Sequence, residues 1–92
     1  MHEFKGTAAS PNAARVMRRL CKHWSHKFPV TVDETRGVIE LTGVRCTLEA
    51  SPERLDVLLA SETEVPERLK GVVAEHLQRM AGEEKFEVVW ES

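Results

Sequence analysis

The stretch from residue 30 to residue 61 constrains the fold of this chain more than any other. It holds four short runs in which apolar and polar residues alternate, each closed by a turn signal. Alternation with a period of two sends successive side chains to opposite faces of a strand. Residues 30–34 form the first run, and Thr35-Arg36-Gly37 reads as the turn after it. Residues 38–42 follow with Ile39 and Leu41 on one side, and Gly43 marks a turn or bulge. In residues 44–50, Val44, Cys46, Leu48 and Ala50 alternate with Arg45, Thr47 and Glu49. Ser51-Pro52-Glu53-Arg54 is a turn, and residues 55–61 place Leu55, Val57 and Leu59 on one face. Strands joined by turns this short favour an antiparallel sheet.

The segments on either side have a different period. Residues 3–9 suit an edge strand with Phe4 inward, weakened by Gly6. Ser10 then serves as a helix N-cap, with Pro11 at the first helical position. The helix is predicted to run to about His26. Ala13, Val16, Met17, Leu20, Cys21 and Trp24 recur at three-four spacing, and Arg15, Arg18, Arg19, Lys22 and His26 lie opposite. Pro29 disfavours helical geometry at Phe28 and ends it. A second helix is predicted over residues 65–81, capped by Thr63, with Pro66 in its first turn and Gly82 as its stop. Its stripe is Val65, Leu69, Val72, Val73, His76, Leu77 and Met80, so His76 is expected to be buried. Residues 86–90 make a last strand.

The predicted order is β-α-β-β-β-β-α-β. Two amphipathic helices must cover one face of the antiparallel sheet. The expected fold is therefore α+β, a two-layer sandwich and a ferredoxin-like variant with extra strands in the middle. A length of 92 residues is expected to make a single domain, residues 1–92.

Composition narrows the function classes. There is no run of about 18 apolar residues, so no membrane-spanning helix is expected. Met1-His2-Glu3-Phe4-Lys5 has no apolar signal region, and two cysteines make no disulfide framework. A cytoplasmic location with both thiols reduced is the expectation. The net charge of −2 conceals an asymmetry: residues 1–46 carry +4 and residues 47–92 carry −6. The plain reading is two solvated faces of different charge; the sharper one is an anion site or a homodimer contact. Nucleic acid is not expected as a partner, because the chain is acidic overall and no aromatic residues interleave with its basic ones.

The residues with chemistry cluster in Cys21-Lys22-His23-Trp24-Ser25-His26-Lys27-Phe28. Cys21, His23, His26 and His76 are candidate metal ligands, Cys46 being the alternative thiol, because thiolate and imidazole are what zinc and iron-group metals prefer. The spacing contains no Cys-x-x-Cys, and the competing reading is a hydrogen-bonded His76, a packed Cys21 and helix-end histidines favoured by the helix dipole. A thiolate nucleophile, Cys21 or Cys46 beside a histidine, is a weaker reading, since both cysteines fall on inward faces. Anion binding is a third, with Arg15, Arg18 and Arg19 near the helix start.

The run Pro11-Asn12-Ala13-Ala14-Arg15 together with Leu20-Cys21-Lys22-His23-Trp24-Ser25-His26-Lys27-Phe28 resembles a family of small bacterial proteins catalogued as domain of unknown function 2218. Arg45-Cys46-Thr47-Leu48-Glu49-Ala50 and Val72-Val73-Ala74-Glu75-His76-Leu77 are similar to the same family. The resemblance implies a stand-alone domain and an association with flavin-dependent siderophore-interacting reductases. His23, Trp24, His26, Lys27 and His76 match its pattern. The expectation is a non-enzymatic binding or accessory domain linked to iron or siderophore handling. Its ligand-binding residues would be His23, Trp24, His26, Lys27, Arg15, Arg19 and His76, and its partners an anionic small ligand and a siderophore-interacting reductase. The alternatives are a small metal-binding protein or enzyme using the Cys/His cluster, and a homo-oligomeric interaction domain.

Overall fold

A computed structural model describes residues 2–91. The elements are β1 (His2–Ala9), α1 (Ala13–Trp24), β2 (Val30–Val32), β3 (Arg36–Leu41), β4 (Val44–Ser51), β5 (Arg54–Ser61), α2 (Arg68–Ala81) and β6 (Val89–Trp90). The strands form one sheet in the order β2-β3-β4-β5-β1-β6, and every neighbouring pair is antiparallel. Read from the other edge, this is a ferredoxin-like arrangement whose central hairpin has become a four-strand meander. The expected α+β two-layer sandwich is the fold.

The alternation in β3, β4 and β5 works as its period requires. Ile39, Leu41, Val44, Cys46, Leu48, Leu55, Val57 and Leu59 are all buried on one face. Val16, Met17, Leu20, Cys21 and Trp24 of α1, with Val73 and Leu77 of α2, complete one continuous core. Each fully buried aliphatic side chain contributes roughly 1.5–3 kcal/mol. The opposite face of the sheet is polar, and Arg36 pairs with Glu49, Glu40 with Arg45, and Arg54 with Asp56 across or along strands. These exposed pairs are worth little, about 0–1 kcal/mol each, and they mark a solvated face.

Several boundaries differ from expectation because side chains redirect the backbone. Ser10 is not the N-cap of α1: its hydroxyl accepts the Asn12 N–H at 3.0 Å, closing a turn before the helix, and Asn12 holds the cap position without a side-chain cap bond. The helix ends at Trp24, whose carbonyl accepts from both Lys27 N–H (3.0 Å) and Phe28 N–H (2.8 Å), so residues 25–28 wind down through a turn before Pro29. Thr63 does not cap α2; its N–H donates to the Ser61 hydroxyl at 3.2 Å, and α2 starts only at Arg68. Gly82 is the stop, with φ of 68°. The last strand is shorter than predicted because Gln78 reaches out of α2. Its Oε1 accepts Phe86 N–H at 2.8 Å and its Nε2 donates to Glu84 O at 2.8 Å, which draws residues 84–86 toward the helix and away from the sheet.

The predicted stripe of α2 is also too wide. Val73 and Leu77 are its fully buried residues, while Val72 is exposed and Leu69, His76 and Met80 are half-buried. The buried line runs along Val73 and Leu77, so Val72 and His76 turn toward the rim between the helices.

The seat of α1 depends on Gly37 in β3. A Cβ there would lie 2.5 Å from Cys21 Sγ and 3.2 Å from Met17 Sδ. We expect Gly37→Ala to destabilise the fold by about 1–3 kcal/mol, the usual range for overpacking. Adding Cys21→Ala should recover part of that loss. Urea denaturation of the two single variants and the double variant checks this, and additive effects would contradict the contact.

Candidate functional site

The end of α1, the β3–β4 turn and the start of α2 border an open groove of about 390 Å³. Leu41 and Val44 enter from the sheet, Trp24 and Phe28 from the end of α1, and Pro66, Leu69 and Val72 from the approach to α2 and its first turns. These residues make a mostly apolar wall. Lys27, Arg68, Thr42 and His76 supply the polar groups. A groove of this size and composition is in the range of small-molecule sites.

Each polar group arrives for a local reason. Trp24 is the last core residue of α1 and is nearly sealed, 5% exposed. Its ring meets Phe28 edge to face, at 6.0 Å between centroids and 86° between planes, the arrangement aromatic quadrupoles favour. The same indole lies 4.9 Å from the His76 ring. His23, one residue before Trp24 and exposed, has its ring 6.0 Å from that of His76. The imidazoles of His23 and His76 are thus neighbours, while the Cys21 thiol lies apart from them. His76, expected to be buried, is half-buried, and its Nδ1 lies 2.7 Å from the Val72 carbonyl one turn earlier.

Lys27 and Arg68 are exposed, and among the described residues neither is held in an ion pair. They are the two cations among the residues that line the groove.

The structure separates the other predicted site residues. Cys21 faces Gly37 and Met17 inside the core, so it does not join His23, His26 and His76. His26 is exposed beyond the groove, and Arg15 and Arg19 lie exposed on the outer side of α1. Among the described residues no group of three or more His, Cys, Asp or Glu side chains is placed to hold a metal ion, which corrects the expected ligand set Cys21, His23, His26 and His76. The physical reason is helical phase: Cys21 belongs to the core stripe, whereas His23 sits at its rim. Thr42, Phe28, Pro66, Arg68 and Leu69 line the groove without having been singled out from sequence. Only Phe28, held beside Trp24 by the stop at Pro29, carried a local signal.

The two thiols are free and fully buried. Burial pushes Cys21 up from 9.0 to about 11. Burial, with the neighbouring Cys21, pushes Cys46 up to about 12. Neither is a nucleophile near neutral pH, so the thiolate reading is also set aside.

Comparison with known proteins places the chain in a family. It belongs to the family described as "Uncharacterized protein conserved in bacteria (DUF2218)", which matches residues 5–91. The chain is similar to PA4090 from Pseudomonas aeruginosa, whose NMR structure superposes with a TM-score of 0.80 at 39% identity, over 99% of this chain and 96% of that one. None of the curated proteins matches the chain. No helix among the described residues is long and apolar enough to cross a membrane.

The raised thiol values have a signed consequence. The folded state holds these protons more tightly than the unfolded chain does. The stabilisation is complete below pH 9.0 and is lost as pH rises toward about 11 and about 12. Urea midpoints measured from pH 8 to pH 11 should fall above pH 9, and less steeply in Cys46→Ala. Alkylation by iodoacetamide at pH 8 should be slow until the chain is unfolded.

Proposed function

We propose that this domain is a binding module without chemistry of its own, and that its groove takes a small anionic ligand with a substantial apolar part. The observation that carries this reading is the pairing of an apolar wall (Trp24, Phe28, Leu69) with two exposed cations, Lys27 and Arg68, that form no ion pair among the described residues. A cation beside an apolar wall attracts an anion and shields the contact from water, which strengthens it. In the setting that the family resemblance implies, the ligand would be an anionic ferric chelate of the siderophore kind. The protein partner would then be a siderophore-interacting reductase acting on the bound chelate. The exposed carboxylates of the second half of the chain, which carries −6 over residues 47–92, are the groups we assign to that partner.

Burial of both thiols weighs against the thiolate reading, and the separation of Cys21 from the histidines weighs against the metal reading. The test is a titration with 8-anilinonaphthalene-1-sulfonate and with ferric tris-catecholate, followed by calorimetry. Binding below about 1 mM is expected. Arg68→Glu and Lys27→Glu should each weaken it about tenfold or more, as loss of a charge-assisted hydrogen bond does. Lys5→Glu, on the opposite face of the sheet, should leave it unchanged. Absence of binding, or binding indifferent to Arg68→Glu, would refute the reading.

A further inference from the structure

The hydrogen bond at His76 specifies more about the ligand than its charge. A backbone carbonyl only accepts, so at 2.7 Å from the Val72 oxygen it is His76 Nδ1 that carries the proton. In the neutral ring that leaves Nε2 as a bare acceptor. Nδ1 faces its own helix, so Nε2 lies on the far side of the ring, away from the backbone. No partner for Nε2 occurs among the described residues, and it is not among any sealed, unsatisfied atoms, so solvent or a ligand reaches it. The ring that carries it borders the groove and leans on the indole of Trp24 at 4.9 Å, tilted by 41°. That packing restricts the ring, so the acceptor has a defined direction.

The groove thus offers two cations, Lys27 and Arg68, a fixed acceptor, and aromatic surface from Trp24, Phe28 and the imidazole itself. Lys27 and Arg68 are donors only. An anion satisfies them and does nothing for Nε2, which calls for a donor, and a hydroxyl is the most compact one. A flat ring satisfies the aromatic surface, since aromatic groups pack best on offset or edge-on aromatic neighbours.

Building on the anion-binding reading above, we infer that the groove selects a hydroxyaromatic anion, its charge on Lys27 and Arg68 and its hydroxyl donated to His76 Nε2. His76 is then a specificity residue, and His23, whose ring is 6.0 Å away, flanks the hydroxyl end.

The experiment compares 6-hydroxy-2-naphthoate and 4-hydroxybenzoate with their methoxy counterparts and with the unsubstituted carboxylates, at pH 8, by amide chemical-shift titration. Replacing O–H by O–CH₃ keeps the ring and the charge but removes the donor. The hydroxy compounds should bind about five- to tenfold more tightly, the usual worth of one hydrogen bond. That preference should shrink to within about twofold in His76→Phe, and His76→Gln, which retains an acceptor, should restore part of it. The His76 ring nitrogen resonances should show Nδ1 protonated, with Nε2 shifting when the hydroxy ligand binds. Equal affinity for hydroxy and methoxy compounds, or a preference that survives His76→Phe, overturns the inference and leaves the anion groove standing. If none of the carboxylates binds, hydroxylated or not, the anion-binding reading falls and this inference with it.

Discussion

The contact between α1 and the backbone of β3 at Gly37 is the constraint on which the rest of the molecule depends. The sulfur atoms of Cys21 and Met17 occupy the space a side chain would fill at residue 37. This close approach lowers α1 onto the sheet and lets Val16, Leu20 and Trp24 bury beside the same strands. Once the helix is seated, the position of its end is no longer free. Trp24 comes down near the β3–β4 turn, and Phe28 follows because the chain must turn before Pro29. The groove is the space left where this end of α1, the turn and the start of α2 fail to close over one another.

The second helix is held differently. Its buried line is short, Val73 and Leu77, and much of its remaining apolar surface stays partly open. The helix therefore leans on α1 and covers less of the core. That half-open contact allows His76 to touch Trp24 with one side of its ring and keep the other accessible. A tighter seam would have sealed the imidazole, and a buried acceptor would then have required a protein partner. The polar chemistry of the site and the modest burial of α2 thus have the same origin. Lys70 shows a similar economy at the other side of α2, where its ammonium lies 4.3 Å from the Phe4 ring centroid and covers an aromatic face that the helices leave half-exposed.

Much of the fold was legible because its signals are local. Alternation in residues 38–61 assigns the inner face of β3, β4 and β5 residue by residue, and the inward assignment of both cysteines follows from the same periodicity. The candidate site was legible only in part. Trp24, Lys27 and His76 line the groove, and His23 meets His76, but Arg15, Arg19 and His26 do not line it and Cys21 is sealed beneath α1. Proximity in sequence made these residues look like one cluster. On a helix, however, residues two or three apart diverge by most of a half-turn or return only approximately.

Sequence alone determined which segments are strands and helices, which face of each is apolar, and that two helices must cover one side of an antiparallel sheet. Those properties come from period, propensity and turn chemistry, all of them encoded within a few residues. Tertiary structure decided which elements border the groove, that Arg68 and Lys27 share it, that Cys21 is lost to the core, and which nitrogen of His76 is left to accept. These depend on distances between segments some forty residues apart in the chain, on the depth at which α1 settles over Gly37, and on a hydrogen bond from an imidazole to its own helix. No local pattern of residue types encodes such quantities, because they arise only when the packed core fixes the elements relative to one another.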